Sequence, residues 1–108
     1  MTEGGSMYGL IGSMKAIPGK RDELITILAD STRDMPGCLS YILARDAANA
    51  DLIWISEVWD SKASHDASLD LPSVRAAIAK GRPLIAGFGN QTETVPVAGV
   101  GPARRNGS

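Results

Sequence analysis

The 108-residue chain is poor in the residues that build covalent or metal-bound frameworks, with one cysteine and one histidine. Cys38 has no partner for an internal disulfide, and we interpret it as a small buried residue at the start of a strand. A reducing, cytoplasmic setting fits this interpretation. Zinc needs a cluster of cysteine, histidine or carboxylate ligands. Because the one histidine and the one cysteine lie far apart in sequence, we expect no metal site.

The chain also lacks an excess of either charge and lacks long apolar runs. The chain has eleven Lys and Arg residues and twelve Asp and Glu residues, which gives a net charge of −1. This balance argues against nucleic acid or an anionic membrane as a partner. No apolar run approaches the roughly 20 residues of a membrane-spanning helix. The start, MTEGGSMYGL, has neither a basic region nor a long apolar one, so we expect no signal peptide.

Hydropathy patterning predicts one domain over residues 7–98, between flexible tails at 1–6 and 99–108. We expect helices over 20–34 and 61–68, the second capped by Ser61, and a third that begins near Pro72 and ends at Gly81. We expect strands over 7–16, 38–45, 52–59 and 91–98. The order strand, helix, strand, strand, helix pair, strand predicts an α+β, ferredoxin-like sandwich with an antiparallel sheet.

The strand at 52–59 is largely apolar on both of its faces. The helices of so short a chain can cover only one face of the sheet, so the other face needs a partner. A second copy of the chain is the simplest partner, because it requires no other protein. We therefore expect a homodimer. One face carries Ile53, Ile55, Glu57 and Trp59, and the other carries Leu52, Trp54, Ser56 and Val58.

Three stretches carry a family resemblance: IPGKRDELI after the first strand, the turn MPGCLSY, and EVWDSKASHDASLDLPSVRAAI. Together they resemble the antibiotic-biosynthesis-monooxygenase family, a branch of the dimeric α/β-barrel superfamily, over roughly residues 7–98. The resemblance implies a homodimer that forms a dimeric α/β barrel, with a ligand cavity between sheet and helices in each subunit. The best-described members oxygenate phenolic substrates such as anthrones and quinols without metal or flavin. Others isomerise a phosphorylated signal molecule, degrade haem, or have no assigned activity.

Two positions depart from the patterns that the resemblance implies. Many members carry a histidine nine residues after the tryptophan of the E-x-W motif, where this chain has Ser68. The histidine of this chain, His65, lies three residues earlier, on the same side of a helix. The haem-degrading branch uses an asparagine, a tryptophan and a histidine at positions held here by Gly12, Ser68 and Ile78, so we expect no haem and no other cofactor.

His65 is the candidate catalytic base, because an imidazole with a pKa near neutrality is partly available as a base there. The alternative is a partly exposed helix residue that hydrogen-bonds Ser61 or Ser68. Trp54 and Trp59 are candidates for stacking on an aromatic substrate, but they lie on opposite faces, so at most one lines a given cavity. The other would then belong to the dimer side.

Three further residues complete the candidate substrate-binding set with the tryptophans. Ser68 holds the family's histidine position. Tyr41 is a candidate donor to a substrate oxygen, or packs in the sheet. Arg82 is a candidate for steadying an anionic intermediate, or complements a helix C-terminus. Glu57 is expected to form a structural salt bridge, with Arg45 or Arg82 as its partner.

The sequence thus predicts a cofactor-independent monooxygenase that oxidises a small phenolic or quinol-type aromatic substrate with O2. One alternative is an isomerase that shuttles protons in the same pocket. Another is a homodimer of the same fold that binds a small ligand without turnover.

Overall fold

A computed structural model describes residues 6–99 of the chain. The helices and strands run in the order β1 Tyr8–Ala16, α1 Arg21–Ser31, β2 Cys38–Arg45, β3 Leu52–Trp59, α2 Lys62–Ser68, α3 Pro72–Gly81 and β4 Ile85–Thr94. A 3-10 turn at Arg82–Leu84 joins α3 to β4. The four strands form one sheet in the order β2-β3-β1-β4, and every neighbouring pair is antiparallel. The predicted α+β, ferredoxin-like fold is confirmed.

The predicted tails lie almost entirely outside the described residues, which exclude 1–5 and 100–108. Within the described part, no helix is long and apolar enough to cross a membrane.

The last strand differs from its prediction over residues 91–98. It begins at Ile85 and ends at Thr94, so Pro96 lies beyond it. Gly87 and Gly89 have no side chains, so the first half of this strand shows no clear apolar alternation. The side-chain pattern therefore did not predict this half. Its pairing with β1 also contains register shifts, and bulges of this kind break the period-two pattern.

The helices begin close to the predicted positions. The Ser61 hydroxyl accepts the backbone N–H of Ser64 at 3.2 Å and caps α2 as predicted. Pro72 occupies the first turn of α3. The first helix ends at Ser31, one turn earlier than predicted. Because Ser61 fixes where α2 begins, it also fixes the direction in which each side chain of that short helix points.

All three helices cover one face of the sheet, and the core lies between these layers. Its fully buried centre is formed by Ala16, Leu24 and Ile53, each with 0% of its surface exposed, beside Met14. The face of β3 that carries Ile53, Ile55, Glu57 and Trp59 is therefore the one that packs under the helices.

The opposite sheet face carries large apolar side chains that are substantially exposed. Ile11 is 45% exposed, Ile42 43% and Trp54 41%. In the register of the strands, Ile11 and Ile42 both pair with Ser56 of β3, so the two isoleucines flank one point of the sheet. That a second copy of the chain covers this face stays a prediction.

Candidate active site

A cavity of about 330 Å³ lies between the helix-covered face of the sheet and the three helices. Most of its wall is apolar, and a few polar groups converge in it, which is the usual make-up of a small-molecule site. Its polar lining includes Tyr41, Glu57, His65, Ser68 and Gln91. Its apolar lining includes Leu10, Met14, Ile55, Trp59, Val74 and Ala77, and three exposed side chains, Leu69, Ile78 and Phe88.

Glu57 and Trp59 form the strand side of the polar end of the cavity. They are two residues apart on β3 and therefore point to the same face. The Trp59 indole, 1% exposed, donates its Nε1–H to Glu57 Oε1 at 2.9 Å. Burial raises the pKa of the Glu57 carboxyl, and the Trp59 hydrogen bond and the nearby His65 counteract part of that rise. This tryptophan thus holds a partly desolvated carboxyl in place.

His65 projects from α2 toward that carboxyl. Its side chain is 15% exposed, and its Nε2 lies 3.9 Å from Glu57 Oε1. The ring packs edge-on against Trp59, with 5.5 Å between centroids, and lies tilted at 5.1 Å from the Tyr8 ring. The alternative interpretation placed this side chain against the Ser61 or Ser68 hydroxyls. Instead, the ring is enclosed by two aromatic residues and a carboxyl.

The second ring nitrogen of His65 contacts an exposed carboxylate on the same helix. Nδ1 lies 3.1 Å from Asp66 Oδ1, and Lys62 Nζ lies 3.1 Å from the other oxygen of Asp66. These two partners lower the pKa of the Asp66 carboxyl, His65 most strongly. A histidine that donates Nδ1–H to Asp66 leaves Nε2 unprotonated on the cavity side. The arrangement suits a base that faces the cavity.

Tyr41 and Ser68 complete the polar wall around the histidine. Burial and the nearby Glu57 raise the pKa of the Tyr41 hydroxyl, so it stays protonated and able to donate. Ser68 is 5% exposed, and its Oγ donates to the His65 carbonyl at 2.6 Å. Because that bond uses the only hydroxyl proton, the Ser68 Oγ can act toward the cavity only as a hydrogen-bond acceptor. The Ser68 side chain is also small and fills little of the cavity.

Two of the sequence-predicted residues lie outside this cavity. Trp54 points to the opposite sheet face, where its indole N–H donates to Asp46 Oδ1 at 2.8 Å. Arg82 follows the last turn of α3 and lines a separate surface depression. Of the two tryptophans, the alternation of β3 thus brings only Trp59 to the cavity, together with His65, Tyr41 and Ser68.

The sequence profile of the antibiotic biosynthesis monooxygenase family matches residues 7–80, more than half of the chain. The chain belongs to this family. A crystal structure from Chloroflexus aurantiacus, provisionally named an antibiotic biosynthesis monooxygenase, is 62% identical, with a TM-score of 0.87. The similarity covers 89% of this chain and 98% of that one. Family and neighbour together support a monooxygenase-like function, and proteins of this family typically bind small molecules.

Two solved structures of lower sequence identity share the fold of this monooxygenase-family chain, and one further relative is similar in sequence. A Caulobacter crescentus structure with the same provisional name is 24% identical, with a TM-score of 0.78, over 86% of this chain and 92% of that one. A Mycobacterium tuberculosis structure is 22% identical, with a TM-score of 0.74, over 89% and 100%. An uncharacterised Synechocystis protein is 28% identical over 69% of this chain, and the chain spans 53% of that relative's length.

Glu57 is the residue of this site whose environment was predicted wrongly. Its expected partner Arg45 pairs instead with Asp22 of α1, at 2.9 Å, and Arg82 lies in the separate depression. Glu57 faces His65 and Trp59. The available signal was the E-x-W spacing, since period-two alternation places Glu57 and Trp59 on one face.

The cavity mouth was also missed from sequence. Leu69, Ile78 and Phe88 line it and are 49%, 39% and 68% exposed. The three side chains come from different elements, so no local pattern joins them. Within residues 6–99, no three histidine, cysteine or carboxylate side chains come together in a way that could hold a metal ion.

Proposed function

We propose that this chain is a cofactor-independent monooxygenase that oxidises a small phenolic or quinol-type substrate with O2, with His65 as the base. One observation carries the proposal. A nearly buried imidazole, held at Nδ1 by Asp66, borders a largely apolar cavity on its Nε2 side. A base in a dry site is the main protein group that such a reaction needs.

In the proposed reaction, Nε2 of His65 takes the proton of the substrate hydroxyl. The resulting electron-rich anion gives one electron to O2, and the two radicals combine to form a bond between the para ring carbon and oxygen. The His65 imidazolium returns its proton to the peroxide. The hydroperoxide then loses water, formed from its outer OH and the hydrogen that the para carbon carried, and a carbonyl group remains at that carbon. One oxygen atom enters the product and the other leaves as water, so no external reductant is consumed.

Three neighbours of His65 have supporting roles in this reaction. Ionised Glu57, 3.9 Å from Nε2, stabilises the imidazolium that forms. Tyr41 donates to a substrate oxygen as negative charge develops on it. The Trp59 ring forms an apolar contact for the substrate, because its N–H is already engaged by Glu57.

We further propose that the chain works in the cytoplasm as a homodimer that joins through the sheet face of Ile11, Ile42 and Trp54. Those side chains are 41–45% exposed on one sheet face, and exposed large apolar side chains gathered on one face favour an interaction surface. Trp54 would then serve the dimer rather than the substrate.

The Glu57–His65 pair also favours a second candidate, an isomerase that moves protons without O2. Two groups that accept and return protons lie 3.9 Å apart in one cavity. An isomerase needs both a base and an acid at its substrate, and such a pair supplies them.

Oxygen uptake by metal-free protein with a panel of quinols and anthrones tests the proposal. His65→Gln should lower the turnover number by about 10²- to 10⁴-fold, the usual contribution of a positioned base. Ala63→Gln is the matched control, because it places the same side chain at an exposed position of the same helix. Far-ultraviolet circular dichroism of both variants shows that the fold is retained.

Each outcome of this experiment separates the candidates. Full-rate turnover by His65→Gln would remove the assignment of the base. Conversion of a substrate without oxygen uptake would favour the isomerase. Saturable binding of a phenol with no conversion would favour a ligand-binding dimer.

A further inference from the structure

A surface depression adjoins the mouth of the cavity. It is lined by Leu69, Asp70, Arg75, Ile78, Ala79 and Arg82. Leu69 and Ile78 line the cavity as well. A molecule that fills the cavity and passes over these two apolar side chains therefore enters the depression.

Helix geometry explains why the two spaces meet at Ile78. Successive residues are rotated by about 100° around a helix, so residues three, four or seven apart share a face. Arg75, Ile78 and Arg82 have this spacing and face the depression, whereas Val74 and Ala77 face the cavity. Ile78 stands at the border between the two faces, with an arginine one turn before it and another one turn after it.

The two arginines differ in pairing from others on the surface. Arg33 pairs with Asp30 at 3.0 Å, and Arg45 pairs with Asp22 at 2.9 Å. Among the described residues, no carboxylate oxygen lies within 4.0 Å of the Arg75 or Arg82 guanidinium. Asp70 also lines the depression and offsets one of the two positive charges. The depression therefore keeps a net positive charge beside an apolar opening.

We infer that the depression is a subsite for an anionic substituent of the substrate, bound by Arg75 and Arg82. This inference rests on the proposed function and narrows its substrate class. The aromatic ring occupies the cavity at His65, an apolar part crosses Leu69 and Ile78, and a carboxylate, sulfonate or phosphate group reaches the arginines. Guanidinium groups match the geometry of such oxyanions.

Three naphthols that share one ring system test the inference in binding titrations with the full chain. They are 2-naphthol, 6-hydroxynaphthalene-2-sulfonate, and the corresponding sulfonamide, which is a neutral match for the sulfonate in size. The sulfonate should bind about fivefold more tightly than the sulfonamide, which is the upper end of what one solvent-exposed ion pair contributes. That advantage should shrink as salt is added.

The double variant Arg75→Gln/Arg82→Gln should bring the sulfonate-to-sulfonamide ratio close to one and leave 2-naphthol binding unchanged. The double variant Arg33→Gln/Arg45→Gln is the control, because it removes the same net charge from paired sites elsewhere and should keep the ratio.

Equal binding of sulfonate and sulfonamide to the unaltered chain would overturn the subsite, and so would an advantage that survives loss of both arginines. If 2-naphthol binds while the sulfonate has no advantage, the cavity of the proposed function stands and only the subsite fails. If no naphthol binds, the proposed function and the subsite fail together.

Discussion

The hydrogen bond from Trp59 to Glu57 should contribute more to stability when Glu57 is ionised than when it is protonated. The donor is 1% exposed and the carboxyl is largely buried, with 2.9 Å between Nε1 and Oε1. Trp59→Phe removes the N–H and keeps an aromatic ring. Glu57→Gln keeps an acceptor for the same N–H and removes the charge. The two substitutions and their combination form a double-mutant cycle that isolates the contribution of the charge.

The expected size follows from the difference between the two kinds of bond. A hydrogen bond to a charged group contributes about 1.5–3 kcal/mol, and one between neutral groups about 0.5–1.5 kcal/mol. The coupling free energy should therefore be about 1 kcal/mol at a pH high enough to ionise Glu57, for which pH 8 is the test condition. It should disappear at a pH acid enough to protonate Glu57, because the bond is then neutral in both members of the cycle that keep Trp59.

The same carboxyl gives the stability of the chain a defined pH dependence. Burial raises the folded-state pKa of Glu57 above its unfolded value. Between these two values the folded state binds more protons than the unfolded state, so this group makes the free energy of unfolding fall as pH rises. The loss amounts to about 1.4 kcal/mol for each pKa unit of difference. Glu57→Gln should abolish this loss, and Trp59→Phe should deepen it, because the lost donor favoured the charged form.

Urea unfolding followed by circular dichroism measures all four free energies at pH 8 and again at acid pH. The protein concentration must be held constant, since association would add to the apparent stability. A coupling below about 0.3 kcal/mol at pH 8, or one that does not change with pH, would refute the assignment of a charge-assisted bond at this position.

Two further substitutions test how α2 is placed, both by urea unfolding. Gly37 and Gly19 have nearly the same backbone angle, φ +82° and +83°, but a Cβ at Gly37 would lie 2.5 Å from the Ser64 hydroxyl, whereas Gly19 faces open space. Gly37→Ala should therefore cost about 1 kcal/mol more than Gly19→Ala, and equal costs would contradict a close packing of this turn on α2. Ser61→Ala should cost about 1 kcal/mol through loss of the helix cap, and Ser73→Ala, at an exposed site, less than about 0.5 kcal/mol.

The bounds of β2 and β3 could be predicted to the residue, and the first half of β4 could not. The bounds of β2 and β3 match their predictions because short apolar runs end there at turn-forming residues. In the first half of β4, Gly87 and Gly89 carry no side chain that could show an alternation. Its pairing with β1, which is remote in sequence, holds this part of the strand in place.

Ion pairs between elements that are remote in sequence also could not be predicted from the sequence. The chain offered Arg45 and Arg82 as partners for Glu57, and nothing local argued against either one. Arg45, at the end of β2, reaches Asp22 in the first turn of α1, a contact between residues 23 positions apart. Such a choice depends on how the layers stack, which is a property of the whole fold.

The helix periodicity explains why a displaced histidine still reaches the cavity. The family's usual position is Ser68, and both His65 and Ser68 line the cavity, since residues three apart on a helix share a face. The exchange has a physical consequence, because a histidine one turn closer to the N-terminus of α2 stands nearer to the end of β3, where Glu57 and Trp59 lie. A histidine moved to position 68 by the paired substitutions His65→Ser and Ser68→His would keep the cavity face. It would leave the immediate reach of Asp66, so the pair should restore only part of the activity that His65→Ser removes.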